Sequence, residues 1–247
     1  MSVFHNHLLI IAAAVPAAVC SFVQADAIDI TTVSNSIETS AYLEPFNTDA
    51  DATGDVSNNP WLGSADAELS NSSGTVQAMG TGNTSWNGNS FQSSYTNNTS
   101  VPSDILQEIE AYADSAMTAV FTALETTSYQ LTVTINATNW EDESDYVIGN
   151  FSLQSTGAIL HEWSTDTTGS GSATYTFTGS ITAGDSFVLT TSARSILSTL
   201  DNFAGTQSTG LASFDLSFVT GTVIPLPSAA FMGLAGIGGL AISRRRR

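Results

Sequence analysis

The chain has no lysine, one cysteine (Cys20), and only five basic residues against 23 acidic ones in 247 positions. Four of the five are the terminal Arg244, Arg245, Arg246 and Arg247, which leaves Arg194 as the lone interior cation. No Asp or Glu precedes Asp26, so the stretch between the two ends carries 22 negative charges, 23 minus 1 with histidine neutral. A field of that sign repels phosphate backbones and anionic headgroups, which excludes nucleic acid as a partner. A single cysteine closes no intrachain disulfide, so stability has to come from packing. Histidine is scarce as well, and beyond residue 25 only His161 remains as an imidazole base. What is abundant is hydroxyl: 66 Ser and Thr, together with 19 Gly, fit an exposed extracellular protein better than a cytosolic enzyme.

Both ends differ from the middle. Leu8 to Val15 is an apolar run, and Val23-Gln24-Ala25 offers small residues for cleavage before Asp26, so residues 1–25 read as a secretory signal peptide with Ala25 at the cut. His5 and His7 stand where Lys or Arg is usual. An uncut anchor is the alternative, but the run is short for a span. Val19 before Cys20 argues against lipidation.

At the other end, Ser228 to Ile242 carries no charge and precedes Ser243 and the four arginines. As a helix it covers only about 23 Å, against a hydrocarbon core of roughly 30 Å. The arginines hold the C-terminus in the cytoplasm and place the body outside. Gly233, Gly236, Gly238 and Gly239 weaken such a helix but admit close approach of a neighbouring one. This suits recognition and release better than permanent anchorage. A plain anchor without processing is the competing reading.

The order Pro225-Leu226-Pro227, short Gly/Ala/Leu-rich helix and terminal Arg cluster resembles the PEP-CTERM sorting signal of exosortase substrates. Leu226 occupies the usual Glu position, as in the Val-Pro-Leu-Pro variant. The resemblance covers residues 222–247. It implies cleavage near the Pro-x-Pro motif by an exosortase-type membrane transpeptidase, passage through the inner membrane, and delivery to the cell surface or an exopolysaccharide matrix.

Within the body, Tyr129, Leu131, Val133 and Ile135 alternate with polar residues, the period of a half-buried strand. Similar runs at 147–153, 173–177, 186–191 and 212–218, with a turn at Thr182 to Asp185, predict an all-β, antiparallel β-sandwich of jelly-roll-like architecture over 102–221. Residues 26–101 read as short strands and loops, partly disordered, with turns at Asn58-Asn59-Pro60 and Trp86 to Asn89. Between 103 and 127 two periods compete. The spacing predicts a strand over about 115–125, preceded by a helical turn over 103–112.

Asp49, Asp51 and Asp55 around Gly54 have the donors of a Ca²⁺ loop, although Thr53 and Pro60 break the EF-hand spacing. Glu141, Asp142, Glu143 and Asp145 form a second cluster whose repulsion Ca²⁺ would relieve. Solvated acidic turns are the simpler expectation for both, and no other cofactor is implied. His161 has no accompanying nucleophile motif, so the chain is expected not to be an enzyme. Trp61, Trp86, Trp140 and Trp163 would stack on sugars if exposed, although Trp in a sandwich is more often core. The sequence thus predicts an exported, non-enzymatic surface or matrix protein; a carbohydrate-binding module for exopolysaccharide is the alternative.

Overall fold

A computed structural model describes residues 26–71, 74–102, 108–138, 145–165, 171–198 and 207–219. The expected signal peptide and expected sorting tail, with Trp140 and Glu141 to Glu143, lie outside the described residues.

The elements among the described residues are twelve strands: β1 (Ile28–Leu43), β2 (Phe46–Asp55), β3 (Trp61–Asn71), β4 (Gly74–Asn87), β5 (Ser90–Ser100), β6 (Ile109–Ala123), β7 (Thr127–Ala137), β8 (Tyr146–Leu153), β9 (Ala158–Ser164), β10 (Ser172–Ile181), β11 (Ser186–Ser198) and β12 (Gln207–Val219). They form two six-stranded sheets, β2-β1-β6-β11-β8-β9 and β10-β7-β12-β5-β4-β3, and every pairing is antiparallel. Strand period two explains the layering. In β7, for example, Thr127, Tyr129, Leu131, Val133, Ile135 and Ala137 face inward while the residues between them face out.

The partners β5–β12, β6–β11, β7–β10 and β8–β9 are those of one long hairpin rolled over itself, which is the jelly-roll arrangement. β1 and β2 widen one sheet beside β6, and β4 and β3 widen the other beside β5. The sandwich expectation holds, but its extent differs from the sequence reading. Residues 28–100 supply five strands of the same two sheets, the longest of 16 residues, instead of a loop-rich region ahead of a core starting at 102.

The expected helical turn is also corrected where it is described. β6 begins at Ile109, so Ile109, Ala111 and Ala113 continue the inward face later occupied by Met117, Ala119 and Phe121. Pairing of Ile109 to Leu43 and of Tyr112 to Ser40 overrides the helical spacing. β9 was not visible in the sequence. It is an edge strand after Gly157, whose φ of 67° makes the turn, and its first residues, Ala158 to Leu160, are exposed.

The interior holds two apolar clusters, one built around Phe91, Phe121, Phe151 and Phe214, and a smaller one around Leu43, Val76 and Ile109. Buried polar side chains run between and beside them. Asn97 of β5 donates from Nδ2 to the Ala193 carbonyl at 2.6 Å and accepts from Ser115 Oγ at 2.6 Å, joining one sheet to two strands of the other. Thr99 bonds Ser195 at 3.1 Å, and Ser195 bonds Ser208 at 3.0 Å. Ser208 in turn donates to the fully buried Asp145, which also accepts from Thr138 Oγ1 at 2.9 Å and the Ile196 amide at 3.0 Å.

Asn97→Ala would strand the Ser115 hydroxyl and the Ala193 carbonyl in a dry interior, a cost of about 2–4 kcal/mol. Urea unfolding of this variant is expected to show that loss, and Asn97→Asp, which cannot donate to Ala193, is expected to destabilise as well.

Candidate functional site

The outer face of the β2-to-β9 sheet can be read row by row from its register. One row is Asp55, Ser34, Thr118, Thr190, Asn150 and Glu162; the next is Thr53, Ser36, Ala116, Ser192, Ile148 and Ser164. A third is Asp51, Glu38, Asp114, Arg194 and Tyr146. Over β6, β11, β8 and β9 the first two rows border an open groove of about 630 Å³. Its polar walls are Thr118, Thr190, Asn150, Glu162, Ser192 and Ser164, and Ala116, Ile148 and Gly149 supply apolar and bare-backbone surface.

Trp163 also borders this groove, but as an inward-facing residue of β9 between the outward Glu162 and Ser164. Its ring is 3 % exposed, packs on Phe214 with centroids 5.5 Å apart, and lies where a side chain at Gly149 would otherwise sit. Its indole Nε1 is buried without a hydrogen-bond partner in the protein. Such a donor is a costly arrangement unless something else accepts from it.

The third row contains the one interior cation. Arg194 stands beside Asp114 across the β6–β11 pair and places its guanidinium 4.5 Å from the centre of the Tyr146 ring. Asp114 accepts from the Tyr112 hydroxyl at 2.9 Å. Burial raises the Asp114 carboxyl above the ordinary carboxylate range, against the pull of the Tyr112 bond and of Arg194, and Glu38 pushes it further up.

The described members of the predicted metal clusters, Asp49, Asp51, Asp55 and Asp145, do not converge. Asp49, Asp51 and Asp55 share the outward face of β2, but alternate strand residues stand about 7 Å apart along the strand. Asp55 is instead held locally by the Ser57 amide and hydroxyl, at 2.8 and 2.5 Å, and these bonds lower its carboxyl below the ordinary range. Asp145, the described member of the second cluster, is committed to the interior bonds given above. Among the described residues, no three His, Cys, Asp or Glu side chains are grouped as metal ligands.

Nor do the described tryptophans, Trp61, Trp86 and Trp163, form a platform. Trp61 is 5 % exposed; its ring fills space that side chains at Gly54, Gly63 and Gly82 would occupy, and its Nε1 donates to the Thr53 carbonyl at 3.2 Å. Trp86 is half-buried and stacks against Phe91. Trp61 and Trp163 therefore cannot present a flat face to a sugar, because neighbouring glycines let both rings sink into the interior.

His161 is built into an aromatic cluster. It stacks on Phe177 with centroids 4.5 Å apart, and its Nε2 shares a hydrogen bond of 2.7 Å with the Tyr129 hydroxyl. Burial lowers its imidazole below the ordinary range. No hydroxyl nucleophile and carboxylate flank it in a triad among the described contacts, since its hydrogen-bond partner is a phenol.

No family model matches the chain, and no curated protein matches it. Among solved structures, the chain is similar to one described as carbohydrate-binding modules of promiscuous specificity from the β-sandwich superfamily, with 6 % identity, a TM-score of 0.25, and coverage of 78 % of this chain and 98 % of that one. It is also similar to a GH31 α-xylosidase from Xanthomonas citri, with 8 % identity, a TM-score of 0.23, and coverage of 68 % of this chain and 29 % of the enzyme. Likenesses this distant carry nothing about the groove, and the sandwich assignment rests on the strand order itself. The class defined here is thus a widened, jelly-roll-type antiparallel β-sandwich.

Two titrations follow. Asp114 folds with a raised pKa, so its contribution to stability is fully present below the unfolded carboxylate value and is lost as pH rises through the folded one. Asp114→Asn, which can still accept from Tyr112, is expected to melt higher than the parent at pH 7, with the gap closing as pH falls toward the unfolded carboxylate value. His161 has the opposite sign: its pKa is depressed, and stability present above the unfolded imidazole value is lost as pH falls through the folded one. An NMR titration is expected to place the His161 ring below ordinary imidazoles, and a normal midpoint would contradict this packing.

Proposed function

We propose that this chain is an exported, non-enzymatic surface or matrix protein whose C-terminal tail is read and removed by an exosortase-type membrane transpeptidase. The observation that carries the proposal is the order of Pro225-Leu226-Pro227, the short Gly-rich apolar segment and Arg244 to Arg247. A helix too short and too glycine-rich to bind a bilayer firmly is suited to a transient stay there. The arginines delay its exit by holding the C-terminus at the cytoplasmic face.

The body fits an extracellular life. A sandwich without disulfides, held by its own packing, folds regardless of redox compartment. Its 22 net negative charges and hydroxyl-covered outer faces favour solubility in a hydrated, salty matrix. Processing would leave a mature chain from Asp26 to the region of the Pro-x-Pro motif.

The test is intact-mass analysis and fractionation of the protein from its host, with and without the transpeptidase gene. The mature species is expected to begin at Asp26 and to lack the Arg244 to Arg247 peptide in the parent strain, with the tail kept and the protein membrane-bound in the deletion strain. A tail that persists in both strains overturns the proposal.

A further inference from the structure

We propose that the free edge of β10 is the docking surface for a second copy of this chain, which joins by antiparallel pairing of β10 with β10 across a two-fold axis. The inference stands on the edges of the two sheets and is independent of the fate of the tail.

Each sheet has two edges, and an edge strand offers backbone groups to any other strand unless something on it opposes pairing. Three of the four edges are guarded. β2 carries Asp49, Asp51 and Asp55, and β3 carries Asp66 and Glu68, so a second copy brought to either edge meets carboxylates. β9 is short, its register with β8 is broken at Leu160, and it bears Glu162. β10 has none of these devices. Its ten residues, Ser172–Ile181, include no charge and no proline, and they pair with β7 without a break.

The register also tells which backbone groups point away from β7. The Ala137 amide donates to the Gly171 carbonyl at 2.6 Å, and these two residues stand opposite each other where the β7–β10 register is continued. Hydrogen-bonded pairs alternate along an antiparallel ladder. Ala173, Tyr175, Phe177 and Gly179 therefore turn their N–H and C=O to β7, and Thr174, Thr176 and Thr178 turn theirs to the free edge. Among the described residues, no strand pairs with β10 on that side. The side chains show the same opening. Tyr175 and Phe177 pack against the main apolar cluster yet are only half-buried, since no further strand flanks them.

Two features select a second copy as the occupant. The first is charge: a body with 22 net negative charges repels its own copies least where charge is absent, whereas a cationic partner would be drawn to the acidic edges at β2 and β3. The second is that β10 complements itself about Thr176. A two-fold axis there sets Thr176 opposite its own copy in a hydrogen-bonded pair, Thr174 opposite Thr178, and Tyr175 opposite Phe177 in the closer, non-hydrogen-bonded pair. Threonine with threonine and aromatic with aromatic are favourable cross-strand neighbours. The half-buried rings are thereby covered, and two six-stranded sheets become one.

Sedimentation equilibrium of the full-length chain, in a detergent that covers its two apolar ends, tests this. The parent is expected to form a dimer with a dissociation constant of micromolar order or tighter. Thr176→Pro removes an N–H that β7 does not use, so the monomer keeps its ladder while each copy loses a central hydrogen bond; the dissociation constant is expected to rise at least about tenfold. Thr176→Lys sets two like charges face to face and is expected to weaken the dimer as well, whereas Ser64→Lys on the β3 edge is expected to leave it unchanged. Thr176→Cys, combined with Cys20→Ser, is expected to crosslink the copies under mild oxidation, because facing Cα atoms of such a pair stand about 5.5 Å apart. Circular dichroism melting confirms that each variant is folded. A parent that stays monomeric at millimolar concentration, a dimer that survives both Thr176→Pro and Thr176→Lys in folded protein, or a dimer that does not crosslink through Thr176→Cys would overturn the proposal.

Discussion

Asn97 is the interaction on which the arrangement of the two sheets depends. It lies on β5 in one sheet and bonds Ser115 on β6 and the Ala193 carbonyl on β11 in the other. Hydrophobic contact alone is not directional, and much of the inward surface near it is alanine, at 111, 113, 119 and 193. Small residues pack in several registers at little cost. A buried amide that must meet one hydroxyl and one carbonyl does not, because a shift of one residue would turn it to the outside and leave its partners unsatisfied. The Thr99, Ser195, Ser208 and Asp145 chain extends this demand to β12.

Once the inner register is fixed, the outer rows are fixed with it. Asp51, Glu38, Asp114 and Arg194 are brought side by side by pairing alone, although they lie far apart in sequence. Adjacent like charges on neighbouring strands oppose pairing. Here the lone interior cation stands at the end of the run of acids, and the buried carboxyl of Asp114 yields by taking up its proton more readily than an ordinary carboxylate. The groove's hydroxyl rows have the same origin, since the strands that form them are tied to Asn97 and its neighbours.

How much of this was legible in the sequence depended on side-chain size. β7, β8, β10, β11 and β12 were readable because large apolar residues alternate with Thr, Ser and Gln, as in Tyr129 to Ile135. β1 to β5 are hard to recognise as part of the sandwich because several inward positions are themselves polar or bare: Asn35, Thr39, Gly80, Gly82, Thr84, Ser93, Asn97 and Thr99. A polar residue facing a hydrogen-bonded interior looks, in sequence, like a polar residue facing water. The same ambiguity hid the groove. Thr118, Thr190, Asn150 and Glu162 come from four separate strands, and nothing short of register brings them into one row. The tryptophans misled in the opposite direction, because the glycines that admit Trp61 to the core, at 54, 63 and 82, are contributed by three different strands.

The two added strands on the groove's sheet also divide its chemistry. Glu38, Asp49, Asp51 and Asp55 all lie on β1 and β2, outside the eight strands of the roll. The roll's own four strands carry the groove, with Glu162 as its one acidic wall. β1 joins beside β6, which is itself a groove strand, so the groove's first row runs on through Ser34 to Asp55. Arg194 and Asp114 belong to another row of β6 and β11, further along their length. One flank of the groove therefore carries the field of the added strands' carboxylates and the other ends at the β9 edge, and the side on which β1 pairs is what makes the two flanks unlike.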